Sequence, residues 1–163
     1  MIVMVSVNAD QILDAETWDV VAGILRAGSG DDLAAYRAAL LRLKDLPDDN
    51  RAGVYLYYML WSRADSLIRK PKPTLSDFAA LAQRAYPKFS ELVVADKITL
   101  EHTLRTVFDQ SDFGTQLQDG AFTIYSSAAL SALLDDPEND LKHLRSKLAS
   151  WIQRKYAPTP DRN

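Results

Sequence analysis

Two histidines, His102 and His143, are the side chains best suited to proton transfer or metal binding near neutral pH. They fall on different predicted helices, and neither belongs to a helical motif that would place two metal ligands on one face. Glu101 adjoins His102 but points about 100° away around a helix. The chain has no cysteine, which excludes thiolate zinc sites and cysteine nucleophiles. The sequence therefore predicts no metal site and no cofactor.

Other catalytic motifs are also missing from the sequence. It contains no Gly-x-Ser-x-Gly elbow and neither of the common glycine-rich phosphate loops. Paired carboxylates occur at Asp31-Asp32, Asp48-Asp49 and Asp135-Asp136, but each pair stands at a predicted helix start. Aspartates there cap the helix, and their negative charge interacts favourably with the positive end of the helix dipole. The pairs therefore need no catalytic explanation. No catalytic residue is predicted.

An aromatic run is the most unusual local feature of the chain. On a helix Tyr57, Tyr58 and Trp61 share one side while Tyr55 points elsewhere. One interpretation is a core helix whose tyrosine tips reach water, and the other is a groove or interface with aromatic anchors. Arg63 continues the helix and would belong either to a charged rim or to a solvated helix end.

The stretch 109–120, DQSDFGTQLQDG, is the longest without helical periodicity and is predicted to be a functional loop. Phe113 is its large apolar residue. With the helix residues above, the candidate binding residues are Tyr55, Tyr57, Tyr58, Trp61, Arg63 and Phe113.

The helix that carries the aromatic run is predicted over residues 51–70, with the aspartates before it as caps. Residues 52–61 are uncharged on every side of a helix, which favours a surrounded position in the core. Ten such residues are too few to cross a bilayer.

Cap signals and periodicity place the other helices. Residues 9–26 fit one or two helical pieces, and Ser29 with Asp32 and Thr74 with Asp77 resemble capping boxes. Thr99 is the expected cap of a further helix, and Pro137 marks the start of the last one. The segment after Thr74 keeps helical period through Pro87, where we expect a kink or a break.

These elements predict an all-α fold of about six helices packed around residues 51–70, in one domain spanning residues 1–156. Residues 2–7 are β-branched and would form a short strand or an apolar arm. Phe122 to Tyr125 also favour a strand, so a small hairpin with residues 2–7 is an alternative. Residues 157–163 are predicted to be a disordered tail.

Composition describes an ordinary globular chain, with 47% hydrophobic and 25% charged residues and a net charge of −3. The middle third is basic, but too weakly for a nucleic-acid surface. The start of the chain lacks the basic residues and cleavage site of a signal peptide. We therefore expect a cytoplasmic protein that binds neither nucleic acid nor membrane.

Residues 30–61 resemble the junction between two tetratricopeptide repeats, with an alanine-rich helix, a Leu-Pro-Asp turn and a tyrosine-rich helix. The resemblance implies a concave peptide-binding surface. It covers about a fifth of the chain, without the Trp, Leu-Gly and Tyr spacing of the motif or a second copy at a period of about 34 residues. The sequence does not assign the chain to that family.

The leading hypothesis is a non-enzymatic module that binds a protein partner or forms a homo-oligomer through the aromatic face of the helix at 51–70 and the loop at 109–120. The alternative is a helical protein that holds a small apolar or aromatic ligand, with Tyr57, Tyr58 and Trp61 lining the pocket. An interface would leave Tyr55 or Trp61 on an outer face, whereas a pocket would turn them towards a void. A third hypothesis is an enzyme of unrecognised type, which requires a cleft where a histidine meets a carboxylate.

Overall fold

A computed structural model describes residues 8–113 and 120–156, and every regular element in these ranges is helical. The all-α prediction is confirmed. The helices are α1 (Ala9–Ile12), α2 (Ala15–Ser29), α3 (Leu33–Leu41), a 3₁₀-helix (Arg42–Asp45), α4 (Asp49–Ile68), α5 (Leu75–Leu92), α6 (Lys97–Val107), α7 (Ala121–Leu133) and α8 (Pro137–Tyr156). Their buried apolar side chains form one core cluster.

Helix α4 is the predicted central helix. Its N-cap is Asp48, whose carboxylate accepts a hydrogen bond from the backbone N–H of Asn50 at 3.1 Å. The helix ends before Arg69, which has a left-handed backbone with φ of 58°. Helices α2, α6, α7 and α8 all pack against α4, so its apolar residues are covered on most sides.

Helix α7 is a second central helix. The sequence favours a helix over residues 127–134, but it predicts only residues 51–70 to be central. Its residues 126–131 are buried without interruption, and six consecutive helical residues point to every side of the helix. The predictions of a strand at Phe122 to Tyr125 and of a hairpin that includes it are therefore wrong, because these residues lie in the first turns of α7. Packing against α2, α4, α5 and α6 outweighs the local preference for a strand.

Two glycines bring neighbouring helices close to α7. A Cβ atom on Gly28 of α2 would lie 2.3 Å from Ser131 Oγ and 2.9 Å from Ser131 Cβ. A Cβ on Gly53 of α4 would lie 3.3 Å from Thr123 Oγ1. Both glycines thus leave space that side chains of α7 fill.

The capping box at the start of α5 is confirmed. The Thr74 hydroxyl accepts from the Asp77 backbone N–H at 3.3 Å, and the Asp77 carboxylate accepts from the Thr74 backbone N–H at 2.7 Å. The hydrogen bond from the Lys70 ammonium, followed by that from the Thr74 backbone, lowers the pKa of Asp77 to about 2.

Two other predicted caps are wrong by three residues. Ser29 is the last residue of α2, and the N-cap of α3 is Asp32, which accepts from the Ala35 N–H at 2.9 Å. Asp96, not Thr99, caps α6 and accepts from both the backbone and the hydroxyl of Thr99 at 2.8 Å. In each case the carboxylate takes the cap because it stands three residues before the N–H that it binds.

The break expected at Pro87 does not occur, since α5 continues to Leu92. Proline frees the carbonyl of the residue four positions earlier, which is Gln83. Pro87 and Gln83 are both exposed, so water can bind this carbonyl. Ala85 and Phe89 remain buried on the opposite side and hold the helix against the core.

Two sequence predictions lie outside the described residues, namely the strand or arm at 2–7 and the tail at 157–163. Within the described part of the chain, each helix is either too short or too polar to cross a lipid bilayer.

We predict that Gly28→Ala destabilises the protein by about 1–3 kcal/mol, because the new methyl group overlaps Ser131 Cβ, which cannot rotate away. Gly23→Ala is the matched control on the same helix, where the nearest atom would be Arg42 Nη1 at 3.8 Å. It should be neutral or stabilising by up to about 1 kcal/mol. Chemical denaturation measures both, and equal effects would contradict the close contact. Adding Ser131→Gly to Gly28→Ala should give a favourable coupling energy.

We also predict a pH-dependent contribution from Asp77. Its pKa is about 2 in the folded protein and about 3.9 in an unfolded chain, so ionised Asp77 stabilises the fold above about pH 4. This stabilisation is lost as the pH falls through about 2. The loss of thermal midpoint caused by Asp77→Asn should therefore be larger at neutral pH than near pH 2. The control is Asp19→Asn, an exposed aspartate for which the described residues provide no polar partner.

Candidate functional site

The outer side of α4 carries the residues that the core leaves partly exposed. Val54, Tyr57 and Trp61 recur at intervals of three and four residues and so lie along one stripe. Tyr58 is only 8% exposed and Tyr55 only 3% exposed, so these two side chains face the interior. Of the predicted binding residues on α4, Tyr57 and Trp61 are thus the aromatic ones available to a partner.

Aromatic side chains from other helices extend this stripe on both sides. On one side the Tyr57 ring lies 6.2 Å from Phe122 of α7, and the Trp61 ring lies 6.4 Å from Phe108 at the end of α6. On the other side, Trp151 of α8 stacks on Tyr58 at 4.6 Å. We call the five partly exposed residues the aromatic face, namely Tyr57, Trp61, Phe108, Phe122 and Trp151.

The hydroxyl group of Tyr57 is held within the protein. It donates to the Thr106 carbonyl at 3.0 Å and lies 3.3 Å from the Asp109 carboxylate. Burial, and after it the negative charge of Asp109, raises the pKa of Tyr57. These hydrogen bonds hold the ring in position, and the exposed part of the ring is available to a binding partner.

A positive charge borders the aromatic face. The ammonium of Lys155 lies 4.7 Å from the centre of the Trp151 ring, within the range of a cation–π interaction. Arg154 is exposed beside it at the end of α8. The rim is therefore basic where α8 meets the face.

Arg63 has a different environment from the aromatic face. Its Nε donates to the Leu133 carbonyl at 2.8 Å, and its Nη2 lies 3.1 Å from Asp135 and 3.7 Å from Asp140. Arg84 of α5 binds Asp135 from the other side at 2.9 Å. Arg63 thus fastens the connection between α7 and α8 to α4.

Phe113 is also separate from the aromatic face. Its ring stacks on His102 at 5.4 Å and on Tyr125 at 6.5 Å, in a group between α6 and α7. Ser111 Oγ lies 3.4 Å from His102 Nδ1. Half of the predicted functional loop, residues 114–119, lies outside the described residues.

A cleft of about 660 Å³ lies near the aromatic face, between α1, the first turns of α4 and the end of α8. We call it the amino-terminal cleft; its lining residues are Gln11, Ile12, Leu13, Asp14, Asp48, Asn50, Arg51, Val54, Tyr55, Ile152 and Tyr156. The Tyr55 hydroxyl accepts a hydrogen bond from the Asp14 backbone N–H at 3.1 Å. Burial is the main cause that raises the pKa of Tyr55.

Sequence reasoning identified Tyr55 but none of the other residues of the cleft. They come from three segments that are distant in the chain, and each has a local role that explains it. Asp14 and Asp48, for example, are N-caps. No signal within a single segment marks their meeting point.

A smaller cavity of about 230 Å³ is lined by His143, Asp140 and Arg63, among others. The Asp140 carboxylate accepts from the backbone N–H groups of Asp135 and Asp136, both at 3.0 Å. It therefore holds the turn before α8. Within residues 8–113 and 120–156, His, Asp and Glu side chains form no group of three that could hold a metal ion.

Comparisons of the chain with protein-family models, curated proteins and solved structures find no match.

The contacts of Arg63 predict a structural role that can be measured. Arg63→Met keeps the aliphatic stem but removes the donor to the Leu133 carbonyl and the positive charge beside Asp140, and should cost about 1–3 kcal/mol of stability. Arg84→Met is the matched control, because Arg84 makes an exposed ion pair with Asp135 and should cost less than about 1 kcal/mol. Chemical denaturation measures the loss of stability in both variants. Equal losses would contradict a role of Arg63 in holding the α7–α8 connection against α4.

Proposed function

We propose that this chain is a non-enzymatic helical interaction module that binds a protein partner, or a second copy of itself, through the aromatic face. The observation that carries the proposal is the group of partly exposed rings along the outer side of α4. Tryptophan and tyrosine are the residues most enriched among energetic anchors of protein interfaces.

The arrangement of the rings supports this role. Trp61 stands between Tyr58 and Phe108, and Trp151 is stacked on Tyr58, so both indoles are held in place before any partner arrives. Pre-ordered rings lose little conformational entropy on binding. The basic rim formed by Lys155 favours a partner with acidic groups around its apolar centre.

The criterion for separating an interface from a ligand pocket gives a divided result. Trp61 lies on the outer surface, as an interface requires, whereas Tyr55 faces the amino-terminal cleft. Tyr57, Tyr58 and Trp61 do not line that cleft. These positions favour protein binding for the outer residues of the aromatic run, and the cleft at Tyr55 is the place that a small ligand could occupy.

The proposal includes a cytoplasmic location. Its support is the absence of cysteine from the sequence, which suits a reducing compartment.

The decisive measurement is light scattering coupled to size exclusion over a range of concentrations, for the wild type, Trp61→Gln and Trp151→Gln. Self-association that both variants weaken at least tenfold would support the aromatic face as the interface. The matched control is Tyr156→Gln, an aromatic residue that is 64% exposed on the same helix as Trp151 but outside the face. Circular dichroism must show that all variants remain folded.

If the wild type is monomeric, the same four proteins serve as affinity baits. A protein retained by the wild type and Tyr156→Gln, but lost by both tryptophan variants, would support a separate partner. Retention that is unchanged by the tryptophan variants, together with a monomeric wild type, would contradict the proposal.

A further inference from the structure

The amino-terminal cleft differs from the aromatic face in shape and chemistry. Ile12, Leu13, Val54 and Ile152 give it an apolar wall, and its volume of about 660 Å³ lies within the range of small-molecule sites. Of these residues only Val54 also belongs to the outer stripe of α4. The cleft can therefore be tested separately from the aromatic face.

Tyr55 supplies an unused hydrogen-bond donor in this cleft. Tyr55 is only 3% exposed, and its hydroxyl oxygen already accepts from the Asp14 N–H. The hydroxyl hydrogen has no acceptor among the described residues. A carbonyl oxygen of a ligand in the cleft could accept from this hydrogen, and the bond would fix the orientation of the ligand.

The charged groups of the cleft favour a neutral ligand. Asp14 and Asp48 outnumber Arg51, so an anion would be repelled. Both carboxylates are already engaged in helix capping, since Asp14 accepts from the Thr17 backbone N–H at 3.0 Å and Asp48 accepts from the Asn50 backbone N–H at 3.1 Å. Asp14 Oδ1 also lies 3.6 Å from Arg51, so a cation would have to displace existing partners.

We propose that the amino-terminal cleft is a binding site for a small, neutral and largely apolar molecule whose carbonyl oxygen accepts a hydrogen bond from Tyr55. Apolar contacts with Ile12, Val54 and Ile152 would bind the body of the molecule, and Tyr55 would fix its orientation. This site is independent of the protein-binding role of the aromatic face.

The test uses Nile red, a neutral apolar dye with one carbonyl acceptor, titrated by fluorescence with the full chain. We expect saturable binding at one site. Tyr55→Phe keeps the ring but removes the donor and should raise the Kd about three- to tenfold. Ile152→Asp places a charge in the apolar wall and should abolish binding. The anionic dye anilinonaphthalene sulfonate should bind more weakly than Nile red.

Matched controls separate loss of the site from loss of stability. Tyr36→Phe removes a buried hydroxyl that bonds Ser127 at 2.7 Å, away from the cleft, and should leave the Kd unchanged. Ile98→Asp repeats the charge substitution at a residue that is 62% exposed on α6 and should also leave it unchanged.

The proposal would be overturned by a lack of saturable binding to the wild type, by a Kd that Tyr55→Phe leaves unchanged, or by equal losses in Ile98→Asp and Ile152→Asp. Trp61→Gln distinguishes the two proposed sites. Binding that Trp61→Gln abolishes while Ile152→Asp retains it would place the dye on the aromatic face and overturn the cleft site. Dye binding that persists in Trp61→Gln supports the cleft, whether or not the same variant disrupts protein association.

Discussion

The close packing of α7 between α2 and α4 is the constraint on which the rest of the structure depends. It requires small groups at the contacts, and Gly28 and Gly53 provide them opposite Ser131 and Thr123. A helix buried at six consecutive positions has no side left for solvent. The neighbouring helices must therefore surround α7. Tyr57 follows Gly53 by one turn on α4, and its ring packs against the partly exposed Phe122 at the start of α7. Trp61 lies one turn further along the same side of α4 and is also partly exposed.

Much of the fold could be predicted because its signals are local. The apolar length of α4, the capping box at Thr74 and Asp77 and the proline at the start of α8 each depend on residues within one or two turns. The helical character of Phe122 to Tyr125 could not be predicted this way. It comes from burial against four other helices, which a local preference for strand does not report. The misplaced caps at Ser29 and Thr99 have another cause, since in each case the carboxylate of an aspartate three residues away, Asp32 or Asp96, forms the cap instead.

The candidate site was predictable only as a list of side-chain types. Helical spacing correctly separated Tyr55 from Trp61, but it placed Tyr58 with the outer residues, whereas Trp151 covers Tyr58. That contact joins residues 93 positions apart, and nothing near Tyr58 in the chain indicates it. Arg63 was grouped with the aromatic residues because it follows them in sequence, while its partners lie at the far end of α7. The sequence thus indicated candidate residues more readily than it indicated the residues that contact them in the fold.

Helix α8 connects the two proposed binding surfaces. Trp151 belongs to the aromatic face and the next residue, Ile152, lines the amino-terminal cleft, because adjacent residues on a helix point about 100° apart. Val54 borders both surfaces on α4. A ligand that shifts the last turns of α8 would therefore alter both surfaces, and any effect of the cleft ligand on protein affinity must be matched by an equal effect of the protein on ligand affinity. The sign of that coupling depends on whether both ligands favour the same position of α8, since a ligand shifts an equilibrium only by its difference in affinity for the two states.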